Sequence, residues 1–210
     1  MCIRDRTGGP GSRDASALPG RLEWNLAWRG LTAELRARQA CCLRGEVRAL
    51  IRPGLGRYSV QLLPAESATL GQWPAAWLVG LGTPWNTLQL GGTMRLTSPG
   101  LTVESVEGRV RFTGEAALDL ANASSRVATL DTLGSYRLTL RGDAATGDAA
   151  SLALVTVDGA LRLSGQGTWA GRGLRFRGEA QAAEGSETAL NNLLNIIGLR
   201  QGARSIISIG

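Results

Sequence analysis

Apolar and polar residues alternate with a period of two along most of this chain, and that spacing commits it to β-structure. Successive side chains of a strand point to opposite faces, so strict alternation describes a strand with one face buried. Leu22, Trp24, Leu26 and Trp28 share one phase, with Arg21, Glu23, Asn25 and Arg29 on the other. Leu31, Ala33, Leu35 and Ala37 oppose Thr32, Glu34, Arg36 and Arg38; Val47, Ala49 and Ile51 oppose Glu46, Arg48 and Arg52. Tyr58, Val60 and Leu62 follow a turn expected at Pro53-Gly54.

The second half repeats the pattern. Leu88, Leu90, Met94 and Leu96 alternate with Gln89, Thr93, Arg95 and Thr97. The apolar phase then slips between Leu101-Val103 and Val106-Val110-Phe112, which predicts a β-bulge near Glu104-Ser105. Tyr136, Leu138 and Leu140 lead to Leu152 and Leu154, an Asp158-Gly159 turn, then Leu161 to Trp169, and Leu174 with Phe176. The glycines of Gly165-Gln166-Gly167 lie inside a strand and mark close backbone approach rather than a phosphate cradle.

Two segments break the period. Gln72 to Leu81, with Trp73, Pro74, Trp77, Leu78 and Leu81, predicts a short helix with Pro74 in its first turn. Ser186 to Leu199 predicts a longer one, with Ser186 as N-cap and an apolar stripe of Leu190, Leu193, Leu194 and Ile197. Ser205 to Ile209 is β-prone and returns to the sheet. The expected fold is mainly β: a large antiparallel meander of roughly ten strands, curved or half-open, with one short helix mid-chain and one near the C-terminus.

Composition narrows the chemistry. The 210 residues contain no histidine, and all 23 basic residues are arginine. That removes imidazole bases, His-paired nucleophiles, imidazole metal sites and the phosphate-loop lysine together. No run of eighteen apolar residues is present to span a bilayer. Glu104, Glu107, Asp119, Asp131, Asp143 and Asp148 fall at strand ends and turns, and nothing singles out a catalytic pair. Cys41 and Cys42 are adjacent, and vicinal cysteines seldom form a relaxed bridge, so they are expected as two small apolar side chains. We expect no enzyme activity, no cofactor and no metal.

The net charge of +6 gathers on one phase. Arg95, Arg109, Arg111, Arg137, Arg141, Arg162, Arg175 and Arg177 all take the polar side of their strands, so a shared sheet would present a basic face. Such a face is either solvated or meets an acidic protein or lipid surface. Aromatics are not interleaved with these arginines, so nucleic acid is not an expected partner. Trp24, Trp28, Trp77 and Trp169 sit in apolar phase and are expected in the core. Trp73 and Trp85 flank the short helix. With Arg175 and Arg177 they are the candidate partner or lipid contacts.

The start of the chain reads differently. Met1 to Arg6 can be read from ATG TGT ATA AGA GAC AG plus one base, which looks like a transposon end used in preparing DNA for sequencing. Residues 1–6 are therefore expected to be adapter-derived, 7–17 a polar linker, and 18–210 a single β-rich domain. The native gene is expected to encode an apolar helix of ~20 residues upstream of Leu18.

The C-terminal stretches Ala189-Leu190-Asn191-Asn192-Leu193-Leu194-Asn195-Ile196-Ile197-Gly198 and Gly202 to Gly210 resemble the ending of the type II secretion system protein N family. Gly82 to Leu88, Leu133 to Leu138 and Phe176 to Ala180 fit the same family. The resemblance implies a single-pass inner-membrane protein with this domain in the periplasm. Such a protein is an accessory part of the machine that exports folded proteins across the outer membrane. It also implies partners among the other inner-membrane and periplasmic secretion components, met through sheet edges, loops and the helix surface. An alternative expectation is lipid handling, because a half-open sheet with an apolar concave face is similar to the AsmA-like bridge proteins.

Overall fold

The computed structural model describes residues 20–65, 67–83, 85–143, 149–171 and 173–210, with the backbone of residues 2–3, 6–7 and 16–17. Three two-residue strands come first: β1 (Cys2–Ile3), β2 (Arg6–Thr7) and β3 (Ser16–Ala17). The alternating segments then form β4 (Leu22–Arg29), β5 (Thr32–Arg38), β6 (Glu46–Gly54), β7 (Arg57–Leu62) and β8 (Thr69–Pro74). After a 3-10 helix (Ala75–Leu81) and the one-turn helix α1 (Trp85–Leu88) come β9 (Leu90–Val106) and β10 (Arg109–Ser125). β11 (Gly134–Gly142), β12 (Ala149–Asp158), β13 (Leu161–Ala170) and β14 (Gly173–Ala182) continue the meander. Helix α2 (Glu187–Ile197), β15 (Leu199–Gln201) and β16 (Arg204–Ile209) close it.

Among the described residues, fourteen strands join one antiparallel sheet that does not close into a barrel. Its order follows the chain except at β2 and β3, which form a separate two-stranded sheet so that β1 neighbours β4, at β8, which pairs with β9 beside the main path, and at the end, where β16 lies between β14 and β15. The long β9–β10 pair holds the two halves together. β7 pairs with Leu101 to Val106 of β9, while β8 pairs with its Thr93 to Thr97 portion.

Cross-strand register carries one apolar face through the whole sheet. Leu35 opposes Ala49, Ile51 opposes Val60, Val60 opposes Val103, Leu118 opposes both Leu96 and Leu138, and Leu138 opposes Leu154. Helix α2 lies on this face at one end, where Leu190, Leu193 and Leu194 are buried with Leu88, Ala123, Leu133, Tyr136, Leu161, Ala180 and Ala182. The helix begins at Glu187 and ends at Ile197, so Leu199, expected as its last turn, opens β15 instead. Ser186 stands at the N-cap without a capping side-chain bond; its carbonyl accepts from the Leu190 N–H at 3.1 Å. Ser205 to Ile209 does return to the sheet, on β14.

Several local expectations need correction. Pro53 and Gly54 are strand residues opposite Tyr58 and Arg57, and the turn is Leu55-Gly56, where Gly56 takes the left-handed φ of 66°. No bulge occurs at Glu104-Ser105, because Val103 to Val106 run in unbroken register with Arg109 to Phe112. The apolar phase slips there because the two-residue Glu107-Gly108 turn exchanges odd for even inward positions. The β9–β10 pair has two register shifts, one where Ser98 and Pro99 face Ala116 and one between Ala121 and Ser124. Ser98 Oγ donates to the Glu115 carbonyl at 2.6 Å and accepts from the Gly100 N–H at 3.1 Å, so the irregular backbone keeps its partners. Gln72 and Trp73 belong to β8, and the 3-10 helix starts after Pro74, which holds an extended ψ of 137°. Leu88 ends α1 instead of opening a strand, and Leu31 sits exposed in the β4–β5 turn. No helix among the described residues is long and apolar enough to cross a membrane.

Candidate docking surface

The polar face of the sheet carries the arginines, as their phase requires. Arg95, Arg109, Arg111, Arg137, Arg141, Arg162, Arg175 and Arg177 are all exposed. The face is nevertheless mixed in charge, because acidic residues occupy matching register positions. Arg137 grips Asp119 with two bonds of 2.6 and 3.2 Å, and Arg141 grips Glu115 with 2.9 and 3.3 Å. Arg204 meets Glu179 at 3.3 Å, and Arg38 meets Glu46 at 2.7 Å. Asp119, expected at a strand end, thus stands mid-strand as an arginine partner.

Arg175 and Arg177 differ. They project from β14 opposite Thr168 and Gln166, and Arg177 also faces Ser208 of β16. Neither has a side-chain partner among the described residues, which leaves two full positive charges two residues apart on one strand. Trp73 and Trp85 lie elsewhere. Trp73 is half-buried on the apolar phase of β8, opposite Met94, with its ring over Gly71. Trp85 is half-buried at the start of α1 and packs against the α2 core. The structure brings the two arginines together and keeps the two tryptophans on separate elements.

The apolar face of the half-open sheet is a second exposed surface. Away from α2 it stays open. Trp28 is 63% exposed, Tyr58 51% and Leu26 42%. Trp28 therefore contradicts its expected place in the core. It lies on β4, at the margin of the sheet, where none of the described elements is laid over it; alternation reports which face a residue takes and says nothing of whether that face is covered. Trp24, Trp77 and Trp169 are half-buried. Phe176 spreads over Gly165, Gly167 and Gly178, which confirms close approach as the use of those glycines.

Two further groups behave unlike their sequence reading. Glu34, on the polar phase, is only 6% exposed, between Arg36 at 2.9 Å and Arg29 at 3.4 Å. The hydrogen bond from Arg36, aided by the nearby arginine charges, holds its carboxyl below the usual range. Cys41 and Cys42 are bridged by a disulfide, against the expectation of two separate thiols. They sit in a tight turn in which the Leu43 N–H donates to the Gln39 carbonyl, and that turn brings the adjacent sulfurs together. Among the described residues no three potential ligands gather as a metal site.

The family model for protein N of the type II secretion system matches residues 8–208. Neither a curated protein nor a solved structure matches the chain.

Proposed function

The chain belongs to the type II secretion system protein N family, and from that premise we propose that it is a non-catalytic accessory component acting by protein contact. In this reading the sheet is a periplasmic scaffold, tethered to the inner membrane by an apolar helix upstream of Leu18, and residues 18–210 form one domain. The observation that carries it is the pair Arg175 and Arg177: exposed, two residues apart on one face of β14, and, among the described residues, without the acidic partners that Arg137 and Arg141 have. An acidic patch on another secretion component supplies the missing charge, with Trp73 and Trp85 as secondary contacts. Exposed pairing of this kind is screened by salt.

The test is pull-down of the purified domain with the other purified periplasmic secretion components across a salt series. Arg175→Glu/Arg177→Glu is expected to fold normally, since both side chains are exposed, and to bind more weakly with a shallower salt dependence. Full binding at every salt concentration would overturn the proposed contact.

A second reading, lipid handling, is favoured by the uncovered apolar face around Leu26, Trp28 and Tyr58. It expects phospholipid to co-purify with the native protein, detected by mass spectrometry of an organic extract. Loss of that lipid in Leu26→Glu/Trp28→Glu, with strand content unchanged and partner binding kept, would put this reading ahead of the scaffold.

A further inference from the structure

Strand β4 forms one margin of the sheet, and its outer edge is only briefly covered: β1 pairs with Leu22 and Glu23 and reaches no further. Among the described residues, the six from Trp24 to Arg29 have β5 on one side and no strand on the other. Arg29 and Thr32 close a two-residue turn at Gly30-Leu31, and in such a hairpin the closing pair exchanges its hydrogen bonds. The backbone groups of Arg29, Ala27 and Asn25 therefore serve β5. Those of Trp28, Leu26 and Trp24 face outward, with no strand partner among the described residues, below apolar side chains of which Leu26 and Trp28 are exposed. An open edge of this kind is a template for another strand.

The sequence of β4 says which strand. Laid antiparallel against itself with Leu26 on the two-fold axis, Leu26 meets Leu26, Trp24 meets Trp28, Asn25 meets Ala27, and Glu23 meets Arg29. The outward-facing residues fall opposite outward-facing residues, so the three apolar pairs are the hydrogen-bonded ones. Charges of opposite sign meet at both ends. Moving the axis one residue to Asn25 sets Arg21 against Arg29, and moving it to Ala27 leaves Glu23 facing Leu31. The axis stands perpendicular to the sheet, so the apolar faces of both copies remain on one side and become continuous.

We propose that a second copy of this chain docks on β4, forming a two-fold dimer by antiparallel pairing of residues 23–29 with themselves, centred on Leu26. Arg29 then lies between Glu34 of its own chain, at 3.4 Å, and Glu23 of the second copy. The incoming strand takes the position that β1 holds beside Glu23, so β1 leaves that edge on pairing.

Sedimentation equilibrium of the full chain over a concentration and salt series tests the assembly. A reversible dimer is expected, weakening with salt. Glu23→Arg and Arg29→Glu each set like charges opposite each other and are expected to raise the dissociation constant by at least about tenfold. The double variant Glu23→Arg/Arg29→Glu restores opposite signs and is expected to recover the dimer. Circular dichroism checks that each variant keeps its strand content. Register is tested separately by cysteine cross-linking, since Leu26 is the one β4 position that meets its own copy. Under mild oxidation Leu26→Cys is expected to link two chains, and Trp28→Cys, displaced by four residues from its copy, to remain at the wild-type background. A chain that stays monomeric at every concentration overturns the proposal. So does a dimer that is indifferent to the charge variants, or one that links no better through Leu26→Cys than through Trp28→Cys.

Discussion

Tyr136 shows how a single polar atom is made safe inside this sheet. Its ring is buried beside α2, and its hydroxyl donates to the Leu161 carbonyl at 2.9 Å, at the point where β13 begins. Burial, with a smaller contribution from Asp158, pushes the phenol well above its ordinary value of 10.0. The neutral form is thus the one the fold favours. Its contribution is complete below pH 10 and declines as pH rises beyond that, because the unfolded chain ionises first. Tyr136→Phe leaves the Leu161 carbonyl without its partner and is expected to cost about 1–2 kcal/mol in urea denaturation at neutral pH. The variant's stability should also fall less than that of the parent between pH 9 and pH 11. An unchanged midpoint at neutral pH would mean that the hydroxyl bond carries nothing. Alternation placed Tyr136 on the apolar face, but its acceptor lies 25 residues away in sequence and follows only from strand order. The burial of Glu34 is hidden for a related reason: its phase is polar, and Arg29 and Arg36 cover it.

Helix α2 was the most legible element and the sheet turns the least. A stripe at positions 190, 193, 194 and 197 has the spacing of a helix face, and three of its four members are buried. Leu194 has no exposed surface, and its carbonyl accepts from Ser205 Oγ at 2.6 Å, which ties the helix to β16. Leu194→Ala is therefore expected to destabilise the domain by about 2–5 kcal/mol, read from the urea midpoint at unchanged slope. An unchanged midpoint would make α2 an exposed docking element instead. The turns were harder because alternation survives a displaced hairpin. Pro53-Gly54 and Leu55-Gly56 both interrupt the apolar phase, and only pairing with Arg57 and Tyr58 tells which of them turns. In the same way, the phase slip near Glu104 has two causes available, a bulge or a two-residue turn, and sequence spacing does not separate them. The unpaired state of Arg175 and Arg177 was equally hidden, since it depends on which acids the register delivers to the neighbouring strands.

At the scale of the molecule, alternation gave the faces but not the curl. β10 and β13 are separated in the sheet by β11 and β12, yet they touch beyond the ends of those strands. The Val110 N–H donates to the Gly171 carbonyl at 2.8 Å, and Phe112 meets Trp169 edge to face with ring centres 5.6 Å apart. Such a contact needs the sheet to coil, and it in turn fixes the coil, because both rings stand on the apolar face. Edge-to-face aromatic pairs contribute about 0.5–1.5 kcal/mol beyond their burial. A double-mutant cycle with Phe112→Leu and Trp169→Leu is therefore expected to give a coupling of that size, about 0.5–1.5 kcal/mol, in urea denaturation. Trp169→Phe is a useful companion. It keeps a ring at the contact and removes an indole N–H that is buried without a hydrogen-bond partner among the described residues. It should retain more stability than Trp169→Leu, since the unpaired donor it removes was itself unfavourable. Additive single effects, or Trp169→Phe as damaging as Trp169→Leu, would mean that the two rings are neighbours without holding the coil. The curvature of the open apolar face would then have to come from the twist of the strands alone.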